Sequence, residues 1–122
     1  MLFVTITCSN RFLAINIKNY INKKPIKIFK NRQMDFMYVK DIYKNTLYAI
    51  ENNIKDINCV YEEKKYLTDI ADVVNNLNDH SVDIIVENQG FDPPYSTTSK
   101  LIDVEYIGLE QGIRECYENY LR

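Results

Sequence analysis

Met34-Asp35-Phe36-Met37-Tyr38-Val39-Lys40-Asp41 runs straight into Ile42-Tyr43-Lys44-Asn45-Thr46-Leu47-Tyr48-Ala49-Ile50. The first segment sends Phe36 and Tyr38 to one side and Met37 and Val39 to the other, the pattern of a short strand covered on both faces. The second is an amphipathic run that reads as a helix. Asp41 stands at the join. A carboxylate there can accept free N–H groups of a first helical turn and favours the positive end of the helix dipole, so Asp41 is expected to N-cap the helix.

The chain around this junction has 122 residues, room for one domain, 1–122, with a modest core. A hydrophobic fraction of 46% excludes wholesale disorder, and three prolines and three glycines leave little scope for long linkers. Fifteen basic against 17 acidic side chains, with a pI of about 5.4, supply no positive field for a phosphate backbone, so nucleic acid is not an expected partner. Cys8, Cys59 and Cys116 are widely spaced in apolar surroundings without a CxxC pair, which points to buried reduced thiols and a cytoplasmic setting. Met1-Leu2-Phe3-Val4 lacks a basic lead, and no apolar run approaches the ~20 residues of a membrane span. A membrane is therefore not expected either.

In chain order, Leu2 to Cys8 alternates as a strand and Ser9-Asn10 ends it. Leu13, Ile17, Tyr20 and Ile21 share one helical face, Pro25 stops that helix, and Ile26 to Phe29 resumes as a strand. Beyond the central junction, Ile57 to Tyr61 alternates as a further strand. Leu67, Ile70, Ala71, Val74 and Leu77 mark the clearest helix, Ser81 to Glu87 a half-covered strand, 88–97 an irregular stretch, and the last helix starts near Leu109. The alternation predicts an α/β, or α+β-like, small domain: a small mixed sheet covered by three to four helices.

The DFxYVxD strand and its helix resemble the C-terminal half of the extended short-chain dehydrogenase/reductase family, the nucleotide-sugar epimerases and dehydratases, where the segment reads RDFxYVxD. Ile26 to Phe29 looks like the family's preceding strand, Tyr66 to Asn78 like the helix after its next strand, and Gly108-Leu109-Glu110-Gln111-Gly112-Ile113-Arg114 is similar to the LEEGIR-type start of its last helix. The resemblance spans nearly the whole chain and lies entirely in the family's substrate-binding portion. It implies that NAD or NADP enters only through a separate Rossmann half.

The residues agree on that point. A pyrophosphate cradle needs a glycine-rich turn between a strand and a helix, and Gly90, Gly108 and Gly112 do not form one. A catalytic tyrosine needs a lysine four residues on; Tyr20 with Lys24 and Tyr61 with Lys65 have the spacing, which ten tyrosines make easy by chance. On the substrate side the family's RxxN strand end looks like Thr7-Cys8-Ser9-Asn10, so the resemblance carries over Asn10 but no arginine, and Met34 occupies the arginine position of RDF. Arg32, two residues earlier, either reaches a phosphate or is a solvated turn residue. Lys100 lies near where the family's late arginine would fall. Asp35 and Asp41, read as one strand, lie roughly 20 Å apart and are too distant for acid–base cooperation. His80, the only histidine, reads as a turn residue without metal-ligand spacing.

Together these readings give as expectation the substrate-binding part of a truncated or split NAD(P)-dependent nucleotide-sugar epimerase/dehydratase, an isomerase-type enzyme not competent alone. The alternative is a non-catalytic, self-associating module derived from that fold, and a third reading is an unrelated small α/β domain. Expected partners are a second copy or a Rossmann-half chain, with a nucleotide sugar as ligand. The second face of the Met34–Val39 strand is expected to expose an apolar patch.

Overall fold

A computed structural model describes residues 5–6, 11–55, 57–94 and 104–121. In order these form β1 (Thr5–Ile6), α1 (Arg11–Ile21), β2 (Ile26–Asn31), β3 (Met37–Tyr38), α2 (Val39–Glu51), α3 (Leu67–Asn75), β4 (Ile84–Phe91) and α4 (Leu109–Leu121). The class is α/β, with four helices over two short parallel ladders, β1 with β3 and β2 with β4.

The core follows from the helical stripes. Leu13, Ile17 and Tyr20 of α1, Ile70, Ala71 and Val74 of α3, and Ile113, Cys116 and Tyr117 of α4 are all buried against Ile26 and Ile28 of β2. Tyr20 keeps its hydroxyl satisfied inside this core by donating to the His80 carbonyl at 2.7 Å and accepting from Asn78 N–H at 2.9 Å. Asn16 sews α1 to β2, since its Oδ1 accepts from Lys27 N–H at 3.0 Å and its Nδ2 donates to Lys27 O at 3.3 Å. Buried polar groups so paired fix register rather than cost stability.

α4 approaches β3 closely at Gly112, where an added Cβ would lie 2.6 Å from Tyr38 Cγ. The glycine is there for packing, not for backbone freedom. α3 opens with Asp69 accepting from Tyr66 N–H at 2.8 Å, while Thr68 N–H donates across to Asn31 Oδ1 at 3.3 Å. The end of β2 is thereby tied to the start of α3.

Four sequence expectations need correction. Asp41 is not the N-cap of its helix: α2 begins at Val39 with Tyr38 as cap residue, and Asp41 sits inside the first turn. Tyr38 is extended and already closes β3, so the strand hands over to the helix earlier than the aspartate suggests. Ile57 to Tyr61 forms no strand; among the described residues no strand pairs with it, and the Tyr61 hydroxyl instead accepts from Tyr38 N–H. β4 continues to Phe91, past the expected Glu87, because β2 remains alongside to Asn31. Finally, of the face expected to be bare, Met37 is buried while Val39, 45% exposed, belongs to α2 rather than to the strand.

Candidate functional site

Asp41 is fully buried, and its partners come from far along the chain. Its Oδ1 accepts from Ile107 N–H at 2.8 Å, and its Oδ2 from Gly108 N–H at 2.9 Å and from the Tyr61 hydroxyl. Gly108, at φ +98, directly precedes α4 and accepts from Gly112 N–H, so Asp41 serves the entry to α4 rather than its own helix. One turn later on the same stripe, Asn45 Oδ1 accepts from the Tyr106 hydroxyl at 2.6 Å and Asn45 Nδ2 points at Met37 Sδ at 3.6 Å. Burial, reinforced by the Asp41 carboxylate, pushes the Tyr61 phenol well up, and burial pushes up Tyr106 and the Cys59 thiol. A tyrosine held protonated and already donating to a carboxylate is not poised to exchange protons with a substrate.

The two Tyr/Lys pairs with catalytic spacing do not assemble. Tyr20 is enclosed in the core, and Lys65, four residues after Tyr61, pairs with Glu63 at 2.8 Å. Nor do the chain's three glycines make a dinucleotide cradle: Gly90 lies within β4, the Gly108 N–H is held by Asp41, and Gly112 packs on Tyr38. These glycines therefore offer no backbone cradle for a dinucleotide's pyrophosphate.

A cavity of about 600 Å³ opens beside the Asp41 node, between the 61–65 turn, α3 and the entry to α4. Glu62, Glu63, Asp69 and Glu110 line it against Lys65 alone, an environment that repels a nucleotide diphosphate.

A better anion site lies at the start of α3, where the parallel strands β2 and β4 both finish. Open α/β sheets bind ligands beyond the carboxyl ends of their strands. There Lys30 Nζ and Arg32 Nη2 each stand 3.7 Å from Asp92, ion pairs too long to be firm. Arg32 Nε is shielded from solvent and has no hydrogen-bond partner. Beside them Phe91, 66% exposed, meets Tyr66 edge to face with ring centroids 5.5 Å apart. The cluster carries one net positive charge and exposed aromatic surface, which suits a phosphate attached to a flat ring system.

Of the sequence candidates, the structure thus puts Arg32 in a cluster and Asp41 in a structural node. Asn10 and Lys100 lie outside the described residues. Lys30 was not singled out, because the strand was expected to end at Phe29, whereas β2 runs on to Asn31. Nor were Asp92, Phe91 and Tyr66, because the strand register and the packing of α3 bring them there. Asp35 is buried and bound by Lys64 Nζ at 2.9 Å. His80 is more than a turn residue: its ring stacks on Tyr20 at 4.2 Å, and its Nε2 lies 2.8 Å from Tyr20 O. Among the described residues no group of His, Cys, Asp or Glu is arranged to hold a metal, Cys59 and Cys116 are buried, and no helix is long and apolar enough to cross a membrane.

The fold defined by these elements recurs in nucleotide-sugar enzymes. The chain is similar in structure to a GDP-mannoheptose C4 reductase from Campylobacter jejuni with NADP bound, at a TM-score of 0.69 and 17% identity over 99% of this chain. It is equally similar to a UDP-glucuronic acid 4-epimerase from Bacillus cereus in complex with NAD, at a TM-score of 0.69 and 20% identity over 96% of this chain. The chain spans 48% and 42% of those two proteins. No protein-family model and no curated protein matches the sequence.

Proposed function

We propose that this chain is the nucleotide-sugar-binding part of an NAD(P)-dependent epimerase- or reductase-type enzyme, not competent for hydride transfer by itself and completed by a separate dinucleotide-binding half. The observation that carries this reading is the shared fold with two nucleotide-sugar enzymes over about half their length. The Lys30–Arg32 cluster supports it. A diphosphate there would replace the long contacts to Asp92 with shorter, charge-assisted ones, and the exposed Tyr66 and Phe91 rings offer the base a stacking face. The second reading, a self-associating module without substrate, is favoured by one observation: Val39, Tyr43, Leu47 and Ile50 form an exposed apolar stripe along α2.

Calorimetric titration with UDP- and GDP-hexoses tests the first reading. Saturable binding that Lys30→Ala with Arg32→Ala weakens about tenfold or more supports it, while NADP binds no tighter than ~100 μM. Nucleotide-sugar binding unchanged in that double variant, or tight NADP binding, overturns it.

A further inference from the structure

The 600 Å³ cavity does not end at the Asp41 node. A second hollow of about 410 Å³ shares Val73, Ile107 and Glu110 with it, so the two join into one groove along the α3–α4 seam. Ile70, Val73, Ile107 and Leu109 give this groove an apolar floor. Its rims are acidic: Glu62, Glu63, Asp69, Asp72 and Glu110 stand against Lys65 and Arg114. Both cations are engaged, Lys65 with Glu63 at 2.8 Å and Arg114 with the Leu77 carbonyl at 3.4 Å. Lys65 registers the field, its ammonium pKa raised first by the hydrogen bond to Glu63 and also by the charges of Glu63, Asp69 and Glu110.

We infer that this groove is a docking site for an extended segment of a partner protein in which basic and apolar residues alternate. Two features of the groove select that occupant. An extended chain turns alternate side chains to opposite sides, so one set can lie on the apolar floor while the other meets the acidic rims. From Asp69 to Asn76 the wall of α3 is about 10 Å long, at ~1.5 Å per residue, which accommodates a few extended residues rather than one small amine. The net negative rim makes attraction long-ranged and sensitive to salt. This site is distinct from the Lys30–Arg32 cluster and does not depend on the nucleotide-sugar reading.

The test is fluorescence anisotropy with a labelled peptide of alternating lysine and leucine, against the same peptide with glutamate in place of lysine. The lysine peptide is expected to bind saturably, more weakly as salt rises, and the glutamate peptide not to bind. Asp72→Lys with Glu110→Lys should weaken binding about tenfold or more. Both positions are exposed, and circular dichroism verifies the fold. Glu51→Lys with Asp83→Lys, an equal charge change at exposed positions outside the groove, should leave affinity within about twofold. Equal losses in the two double variants would reduce the effect to net charge and overturn the proposal, as would absence of saturable binding or equal binding of the glutamate peptide.

Discussion

α3 and α2 are both amphipathic helices, and they are oriented in opposite senses. α3 turns its apolar stripe inward, with Leu67, Ile70, Ala71 and Val74 buried. α2 buries Asp41, Asn45 and Ala49 and shows solvent Tyr43, 65% exposed, and Ile50, 68% exposed, with Val39 and Leu47 on the same line. Periodicity alone therefore finds a helix but not its inward side. An inward polar stripe is tolerable only because distant partners satisfy it, and an outward apolar stripe is a surface suited to being covered.

The contrast is most easily broken at its centre. Asp41→Ala leaves the Ile107 and Gly108 N–H groups and the Tyr61 hydroxyl without their acceptor, and is expected to cost about 4 kcal/mol in urea denaturation. Serine, too short to reach, should not restore it, whereas asparagine should recover about half. A loss of only ~1 kcal/mol, rescued by serine, would mean that Asp41 is an ordinary helix cap after all. On α3, Ile70→Ala should cost about 3 kcal/mol, purely from lost packing. A polar residue on α2 is thus expected to outweigh an apolar core residue on α3.

Gly112→Ala sharpens the picture of how α4 is held against the strand that leads into α2. A helix-interior glycine replaced by alanine ordinarily gains up to about 1 kcal/mol. Here the new methyl would meet Tyr38 at 2.6 Å, near the base of the ring where it has little room to yield, and a loss of about 2 kcal/mol is expected. A gain would show that α4 is free to move off β3.

The smallest effect is a matter of pH. Glu115 on α4 accepts from Lys40 Nζ at 2.9 Å and from the Tyr38 hydroxyl at 2.7 Å, and these contacts lower its carboxyl pKa below the usual 4.5. A depressed carboxylate contributes stability above its unfolded pKa and loses it as pH falls through the folded one. Wild type should therefore lose a little stability on acidification below 4.5 that Glu115→Gln does not lose, the difference remaining small because Lys40 is 60% exposed. Above pH 10, Tyr38, pushed up to about 12 by burial first and then by Glu115, gives the reverse slope: its contribution is lost as pH rises.

Much of this architecture was legible in the sequence, and the remainder was not for a definable reason. All four helices follow from their apolar spacing, and Pro25 with Lys23 at φ 60 ends α1 where expected. The inward side of α2 was illegible because the groups that satisfy Asp41 and Asn45, at Tyr106, Ile107 and Gly108, lie more than 60 residues further along. Ile57 to Tyr61 alternates like a strand, yet alternation does not supply a neighbour. In the anion cluster, Arg32 could be named from its place two residues before Met34, while Asp92 and Phe91 arrive through the β2–β4 register and its irregularity at Lys30/Asn31.

The outward stripe of α2 is where the account is most exposed. With Ile107 it walls an almost wholly apolar groove of about 440 Å³, which self-association, the second reading, would cover. Sedimentation equilibrium of the purified chain at micromolar concentration, with an apolar-surface dye present in parallel, measures this directly. The account predicts a mass above 14.5 kDa that Tyr43→Lys with Leu47→Lys returns to 14.5 kDa. A wild-type species of 14.5 kDa that binds no dye would contradict it.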